Sequence, residues 1–291
     1  MPKPFDRQTI RAYVNNARAS KALRIDLRRA DLHEADLSGL DLNWADLFEA
    51  YLIGAELTNS DLSEADLRGA DLHGATLRGA NLSQADLRGT NLTGVDLQGA
   101  QLHQANLSGA NLSQANLVDV ALTEVALKDT TIDSLTQLTD KWRLVWQVVN
   151  ETSTKRDLTG VDLSQAHLSG LDLSDHNLSQ ANLSQADLRW VNVSRANLSQ
   201  VNLSKVNMSQ AILHQANLRE ADLSWANLSQ ADLQGANLQA ANLTGVSLID
   251  ANLSESNLTN VRLRAANLSH AKLAKTTMDW KNRVFIKSKG W

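Results

Sequence analysis

Residues 80–89 read ANLSQADLRG, with leucine at every fifth position, alanine two residues ahead of each leucine, and Asn or Asp between them. A period of five belongs to neither regular element. On an α-helix, leucines five apart would rotate by about 140° and never form a stripe. On a strand, where faces alternate with a period of two, an odd spacing would send them to opposite faces. The pattern nevertheless runs through most of the chain.

Counting outward from this stretch, and naming the central leucine i, the period holds from Leu27 to Leu127 and Ile132 without a slip, 22 pentapeptides across 25–134. It restarts at Leu158 and runs to Leu273 and Met278, 25 more across 156–280. Position i−2 is mostly Ala, and positions i−1, i+1 and i+2 are polar: Asp/Asn, then Ser/Arg/Gln/Thr, then Gly/Gln/Glu. A period of five is satisfied if the chain turns a corner once per repeat, sending Leu and the small i−2 residue inward and the others to water. Four such sides close a coil of twenty residues. Stacked at the sheet spacing, 47 repeats make about twelve coils, a length on the order of 55 Å. Glycines at i+2, such as Gly69 and Gly89, suit the corners.

Tandem A(D/N)LXX resembles the signature of the pentapeptide-repeat family, and the resemblance covers about four-fifths of the chain. It implies an all-β solenoid, a right-handed quadrilateral β-helix. Here that fold would be built in two arrays interrupted by an inserted α-helix and closed by terminal caps. The implied segments are an N-terminal helical cap (1–24), a first array (25–134), an amphipathic insert (135–155), a second array (156–280), and a basic C-terminal stretch (281–291) that is a cap or a dimer contact. A similar tryptophan-rich insert in cyanobacterial relatives points to a cyanobacterial-type member. Gyrase-binding relatives dimerise through their C-terminal ends, which makes a homodimer through 281–291 one implied partner.

The insert DSLTQLTDKWRLVWQVVNETSTK (133–155) has helical periodicity: Leu135, Leu138, Trp142, Val145, Trp146 and Val149 share one face. Ser134 with Gln137 resembles a capping box, and Leu144 with Val148 forms a second apolar strip. That face either packs on the solenoid or docks a partner, which makes Trp142, Trp146, Leu144 and Val148 candidate contacts. Residues 6–23 suit a capping helix with Ile10, Val14 and Ala17 inward and Asp6 near its start. Trp44, Trp190 and Trp225 stand at outward i+2 positions. Tryptophan is enriched in binding hot spots, so these three are further contact candidates.

The formal net charge is −4, unevenly spread. The first array carries 18 acidic and 6 basic residues, the second 11 and 9. Asp26, Asp46, Asp66 and Asp86, twenty apart, should stack as one acidic column. The resemblance implies a use for it: relatives that bind gyrase are proposed to imitate DNA with an acidic rod. Arg28, Arg68 and Arg88 stack on the same wall and would neutralise part of the column. In the second array Asn dominates i−1, which suggests amide ladders instead.

A dense Leu/Ala interior leaves no ligand cavity, and no convergent acid/base set, Ser/His/acid set or phosphate loop is evident, so an enzyme is not expected. No cofactor or metal is expected either: the seven histidines are scattered, and the chain has no cysteine, which excludes disulfides and zinc–thiolate sites. No stretch is long and apolar enough for a membrane span, and the N-terminus lacks a signal-peptide core. The acidic walls disfavour direct nucleic-acid binding. The expectation is a cytoplasmic, non-enzymatic scaffold that binds another protein through its flat walls. The alternative is a DNA-mimicking modulator of a type II topoisomerase acting through the first array.

Overall fold

The computed structural model describes residues 7–21, 24–151, 156–279 and 281. The chain forms two compact units, Met1–Asn150 and Glu151–Trp291. Each is built from the same five-residue step. Along each array, position i−1 of one repeat bridges in parallel to the residue twenty further on, as in Asp26↔Asp46↔Asp66↔Asp86 and Asn177↔Asn197↔Asn217↔Asn237. Two amides serve each step: Asp46 N donates to Ile25 O in the preceding coil at 2.8 Å, and Leu27 N donates forward to Asp46 O at 2.8 Å. A coil is therefore twenty residues with a turn every five.

The corner is a four-residue turn, Leu27 to Ala30, closed by Ala30 N donating to Leu27 O at 3.1 Å. Its second central residue has positive φ in repeat after repeat, +53° at Arg29 and +66° at Gly69, as a type II turn requires. Glycine is the cheapest occupant, yet Gln, Glu, Asp and even Trp fill the slot. A left-handed conformation costs a side-chain-bearing residue about 1 kcal/mol, an amount the ladder and core readily offset.

Inside, leucine at i and alanine at i−2 are almost completely buried, as at Leu82, Ala80, Leu233 and Ala231. Each buried leucine contributes about 1.5–3 kcal/mol of transfer free energy. Ser60, Thr90, Thr130 and Ser256 occupy the alanine slot and are also buried. They are tolerated because each hydroxyl donates to the turn carbonyl three residues back, as Ser60 Oγ does to Leu57 O at 2.8 Å.

A coil stack has two open ends, where backbone groups lack the next coil. Helix α1 (Arg7–Ala19) closes one end of the first unit. Ile10 and Val14 are fully buried, while Ala17 is only half-buried; Asp6 lies outside the described residues. Arg11 Nη1 donates to Ser38 O at 2.9 Å, and Arg18 donates to Asp41 O at 3.0 Å and to Asn43 O. These carbonyls would otherwise take amides from a preceding coil.

The other end is closed by helix α2 (Asp140–Asn150), shorter than the 135–155 expected; residues 152–155 lie outside the described ones. The proposed capping box at Ser134 and Gln137 does not start it. Instead 133–137 stay in the coil, with one extra residue: Gln137 bridges Asn116, a separation of 21 rather than 20. Asp133 Oδ1 organises that expanded turn by accepting Leu135 N, Thr136 N and Gln114 N. Leu135, expected on the helix face, is 64% exposed. Along α2, Trp142, Val145, Val148 and Val149 are buried. Three polar side chains substitute for a further coil. Asn150 Oδ1 accepts Asp129 N at 2.7 Å while its Nδ2 donates to Leu127 O; Trp146 Nε1 donates to Thr130 O at 3.0 Å; Arg143 donates to Thr136 O at 2.7 Å.

In the second unit the paired strands β1 (Asn257–Leu258) and β2 (Thr277–Met278) run parallel in the same twenty-residue register. Asp279 Oδ2 accepts Asn260 N at 3.1 Å, the same end-closing device. The C-terminal stretch expected as a cap or dimer contact, 281–291, falls outside the described residues except for Lys281.

Candidate functional site

The walls are governed by one hydrogen-bonding rule. At i−1, Asp or Asn turns its Oδ1 onto the backbone N–H two residues on, as Asp26 does to Arg28 N and Asn197 does to Ser199 N. This is an Asx-type turn, which needs an acceptor and no charge. Asn has a donor left over, and in the second unit it points at the preceding coil: Asn197 Nδ2 reaches Asn177 Oδ1 at 2.9 Å, and Asn217 reaches Asn197 at 3.0 Å. Stacked aspartates lack that donor, so something else must supply it.

In the column Asp26–Asp46–Asp66–Asp86, arginine supplies it. Arg28 grips Asp26 at 2.7 Å and reaches Asp46 at 3.5 Å; Arg68 grips Asp66 at 2.7 Å and reaches Asp86 at 3.6 Å; Arg88 holds Asp86 at 2.6 Å. Arg24, which the repeat pattern leaves outside the array, closes on Asp46 at 2.9 Å and on Asp66 at 3.7 Å. Four carboxylates thus meet four guanidiniums, and Asp46 is only 7% exposed. Hydrogen bonds from Arg28 hold the Asp26 carboxyl down at about 2, and Arg68 holds Asp66 below its usual value. The column is an alternating ionic ladder and presents no bare row of negative charge.

The candidate aromatic contacts divide by environment. Trp142 and Val148 are buried and Leu144 half-buried, so α2 offers little free apolar surface. Trp146 is half-buried, its indole N–H committed to Thr130 O. Trp44, Trp190 and Trp225 are 53%, 53% and 63% exposed, all at corners with φ near +60°. Trp44 borders a cleft of about 590 Å³ together with Arg24, Glu64 and Asp66. In the second unit Trp190 carries the Arg189 guanidinium 5.2 Å from a ring centroid, and its N–H bonds to Gln210, which continues to Gln230 at 2.7 Å. Trp225 lies over the next corner of its column, its ring atoms 2.6–2.9 Å from where a Cβ on Gly245 would sit. Trp190 and Trp225 flank opposite edges of one wall, whose centre is Asn207, Ser209, Asn227 and Ser229.

One network runs against the expectation that no Ser/His/acid set exists. Ser169 Oγ lies 2.9 Å from His167 Nε2, and His167 Nδ1 lies 3.1 Å from Asp187 Oδ2. Both oxygens of Asp187 are also held by Arg189, at 2.8 Å each. Burial pushes the Asp187 carboxyl up, but the bonds from His167 and Arg189 outweigh it and hold it well below the carboxylate range. Acyl transfer would further need paired amide donors for an oxyanion. The amides flanking Ser169 are engaged: Leu168 N bonds Asp187 O and Gly170 N bonds Arg189 O, both at 2.8 Å. This cluster reads as a wall brace. Its signal in the sequence is His at an i−1 slot twenty residues before Asp, with Arg two beyond.

Among the described residues no helix is long and apolar enough to cross a membrane, and no group of three or more His, Asp or Glu could hold a metal ion.

The family model described as pentapeptide repeats matches the chain repeatedly, over residues 16–47, 45–84, 85–123, 157–195, 196–235, 221–260 and 236–273. A search of curated protein sequences finds no match. Among solved structures, the chain is similar to HetL, a pentapeptide repeat protein involved in heterocyst differentiation regulation from the cyanobacterium Nostoc sp. strain PCC 7120. Identity is 26%, over 94% of this chain and 97% of that one, with a TM-score of 0.30. Rfr23, a pentapeptide repeat protein from the cyanobacterium Cyanothece 51142, is 27% identical over 62% of this chain and 91% of its own, with a TM-score of 0.26. QnrB1, a plasmid-mediated fluoroquinolone resistance protein, is 17% identical over 93% and 97%, with a TM-score of 0.31.

Proposed function

Since the chain belongs to the pentapeptide-repeat family, we propose that it is a non-enzymatic scaffold that binds another protein through a wall of its second unit. The observation that carries this reading is the pair Trp190 and Trp225, each more than half exposed on opposite edges of one wall. Between them lies a flat strip of Ser and Asn whose polar groups are largely bonded to one another, as Asn227 is to Ser229 N and to Asn207. Such a strip loses few water contacts when covered, while each indole supplies a large apolar anchor. The same reading takes the architecture to be right-handed square coils, about twelve in two arrays, in a cytoplasmic protein.

The test is capture from lysate of the source organism, with wild type beside Trp190→Ala/Trp225→Ala. A species retained at moderate salt by the wild type and lost by the variant supports the wall as the contact. Identical retention by both would remove it.

The narrower reading, DNA mimicry toward a type II topoisomerase, rests on the 18 acidic residues of 25–134. The arginine ladder weighs against it, because phosphate imitation needs unpaired anions along a column. A supercoiling assay with gyrase decides it: inhibition or protection that weakens when Asp26, Asp46, Asp66 and Asp86 become Asn would restore that reading.

A further inference from the structure

Trp190 and Trp225 mark opposite edges of one wall, but the charges around them differ. At Trp190 the set is complete: the Arg189 guanidinium lies 5.2 Å from a ring centroid, and both oxygens of Asp187 hold it at 2.8 Å. At Trp225 cations are present and the carboxylate is missing. Lys205 stands one coil earlier on the same corner column, and Arg262 and Arg264 stand on the adjoining wall, across the Trp225 edge. All three are exposed and make no side-chain hydrogen bond or ion pair among the described residues. Arg28, Arg68, Arg88, Arg189 and Arg195, by contrast, each meet a carboxylate within 2.6–2.8 Å.

Nothing nearby supplies the missing charge. The corner column of Trp225 reads Gln165, Gln185, Lys205, Trp225, Gly245 and Ala265, with no acid. The wall segments beside it, 227–229 and 247–249, hold none either. The exposed Asp250 lies on the opposite edge, in the column of Trp190. In the column of Arg262, Asp222 is two coils back, its Oδ1 accepting Ser224 N at 3.0 Å and Asn242 Nδ2 at 2.9 Å. Arg262 takes the slot that Asn242 fills one coil earlier, so the amide ladder is given up there for a cation.

The indole reaches toward these arginines. Trp225 leans along its column onto Gly245, its ring atoms 2.6–2.9 Å from where a Cβ would sit, and Gly245 N donates to Arg264 O at 2.8 Å. With Gly245 and Ala265 on the next two corners, no long side chain stands on the column between the indole and the coil of Arg264.

We propose that an acidic segment of the protein partner crosses the Trp225 edge, laying an apolar residue on the indole and its carboxylates against Arg262, Arg264 and Lys205. This rests on the reading of the Trp190–Trp225 wall as the partner contact, and it names the chemistry that the contact selects. Trp and Arg are enriched among binding hot spots, and complementary charge fixes which partner fits. A nucleic acid is served less well, because three cations around one corner make no continuous basic stripe and the chain is net negative.

The experiment is fluorescence anisotropy of a fluorescein-labelled decaglutamate peptide titrated with the full chain at low and high salt, beside labelled decaglutamine and decathymidylate. The expected result is binding of decaglutamate that is lost at high salt, with no binding of decaglutamine. An exposed ion pair contributes up to about fivefold, so Arg262→Gln/Arg264→Gln should weaken binding roughly tenfold, with the circular dichroism spectrum unchanged. Lys272→Gln/Lys275→Gln removes the same charge from the other side of the coil and should change binding little. Absence of decaglutamate binding, equal loss in both pairs, or tighter binding of decathymidylate overturns the proposal. Lysate capture with the arginine variant separates it from the reading beneath it. A species lost by the Trp190/Trp225 variant but kept by the arginine variant would leave the wall as the contact and refute the acidic segment.

Discussion

If α2 replaces a coil, removing its polar side chains should loosen the end of the first unit and little else. Asn150→Ala deletes the acceptor of Asp129 N (2.7 Å) and the donor to Leu127 O (3.0 Å). Trp146→Phe deletes the donor to Thr130 O (3.0 Å) and keeps most of the ring's packing. An intramolecular hydrogen bond is worth about 0.5–1.5 kcal/mol net, and a buried group left unpaired costs about 1–3 kcal/mol. Both side chains are half-buried, so water makes up part of the loss, and the double variant should cost about 2–3 kcal/mol at the edge. At about 1.4 kcal/mol per factor of ten, the opening equilibrium of the last coil should rise about 30- to 140-fold. Hydrogen exchange followed by mass spectrometry reads this directly. Amides such as Ala126 N and Thr131 N, which bond back to Ala105 O and Ala110 O, should lose that much protection. Because each coil of a solenoid is stabilised only by its neighbours, the effect should fade within two coils and be absent around Leu62–Leu82. Unchanged protection at 120–134, or a loss spread evenly over 25–134, would refute the assignment of α2 as an end cap.

Gly245→Ala should destabilise the second unit by about 1 kcal/mol for its φ of +69° plus about 1–3 kcal/mol for collision with Trp225. In a Trp225→Ala background only the first part should remain, which urea midpoints of the four proteins in the cycle would reveal. Asn197→Asp keeps the acceptor for Ser199 N but loses the donor to Asn177, so it should cost about 1 kcal/mol; Asn197→Ala should cost more, read in the same denaturation assay. The Asp26 carboxyl, at about 2 when folded against an ordinary 3.8, contributes stability that is complete above pH 4 and lost as pH falls toward 2. Arg28→Gln should raise that value toward 3.8 and flatten this part of the acid limb, which carboxyl NMR titration would follow. Leu82→Ala should cost about 2–5 kcal/mol while Ser83→Ala stays within about 0.5 kcal/mol, a contrast that thermal unfolding can check.

The coil was legible because the period of five is a geometric statement. Leu82 and Ala80 point inward for the same reason that ANLSQ repeats, and the twenty-residue bridges follow from four turns. The end structures were less so. The periodic run from Leu135 to Val149 marked a helix, but one residue of expansion at Asp133 keeps Leu135 and Thr136 in the coil, and nothing in the apolar pattern separates a helical leucine from a turn leucine. The arginines of α1 and the Asn150–Trp146 pair of α2 bond backbone groups that only an open coil end leaves vacant. A repeat read on its own has no open end, so their work was not visible in the pattern. The Ser169–His167–Asp187–Arg189 brace was missed for a related reason: its members touch across the coil spacing, and no local motif joins residues twenty apart.

The aspartates show how repeat chemistry can imitate a functional signal. An i−1 residue must offer an acceptor to the i+1 amide, and Asp and Asn meet that need equally. A column of Asn then bonds itself coil to coil, as 177–197–217–237 does. A column of Asp cannot, and the sequence answers with Arg24, Arg28, Arg68 and Arg88 on the same wall. Acidic composition in 25–134 is therefore first a consequence of turn geometry and only second a candidate for recognition. Residues that the repeat does not require are the better guide. An indole at a left-handed corner, where Gly or Gln would be less strained, and an arginine in an Asn slot with no carboxylate to meet it both depart from what the coil alone selects. Trp44, Trp190, Trp225 and Arg262 are such departures, and all but Trp44 lie in the second unit.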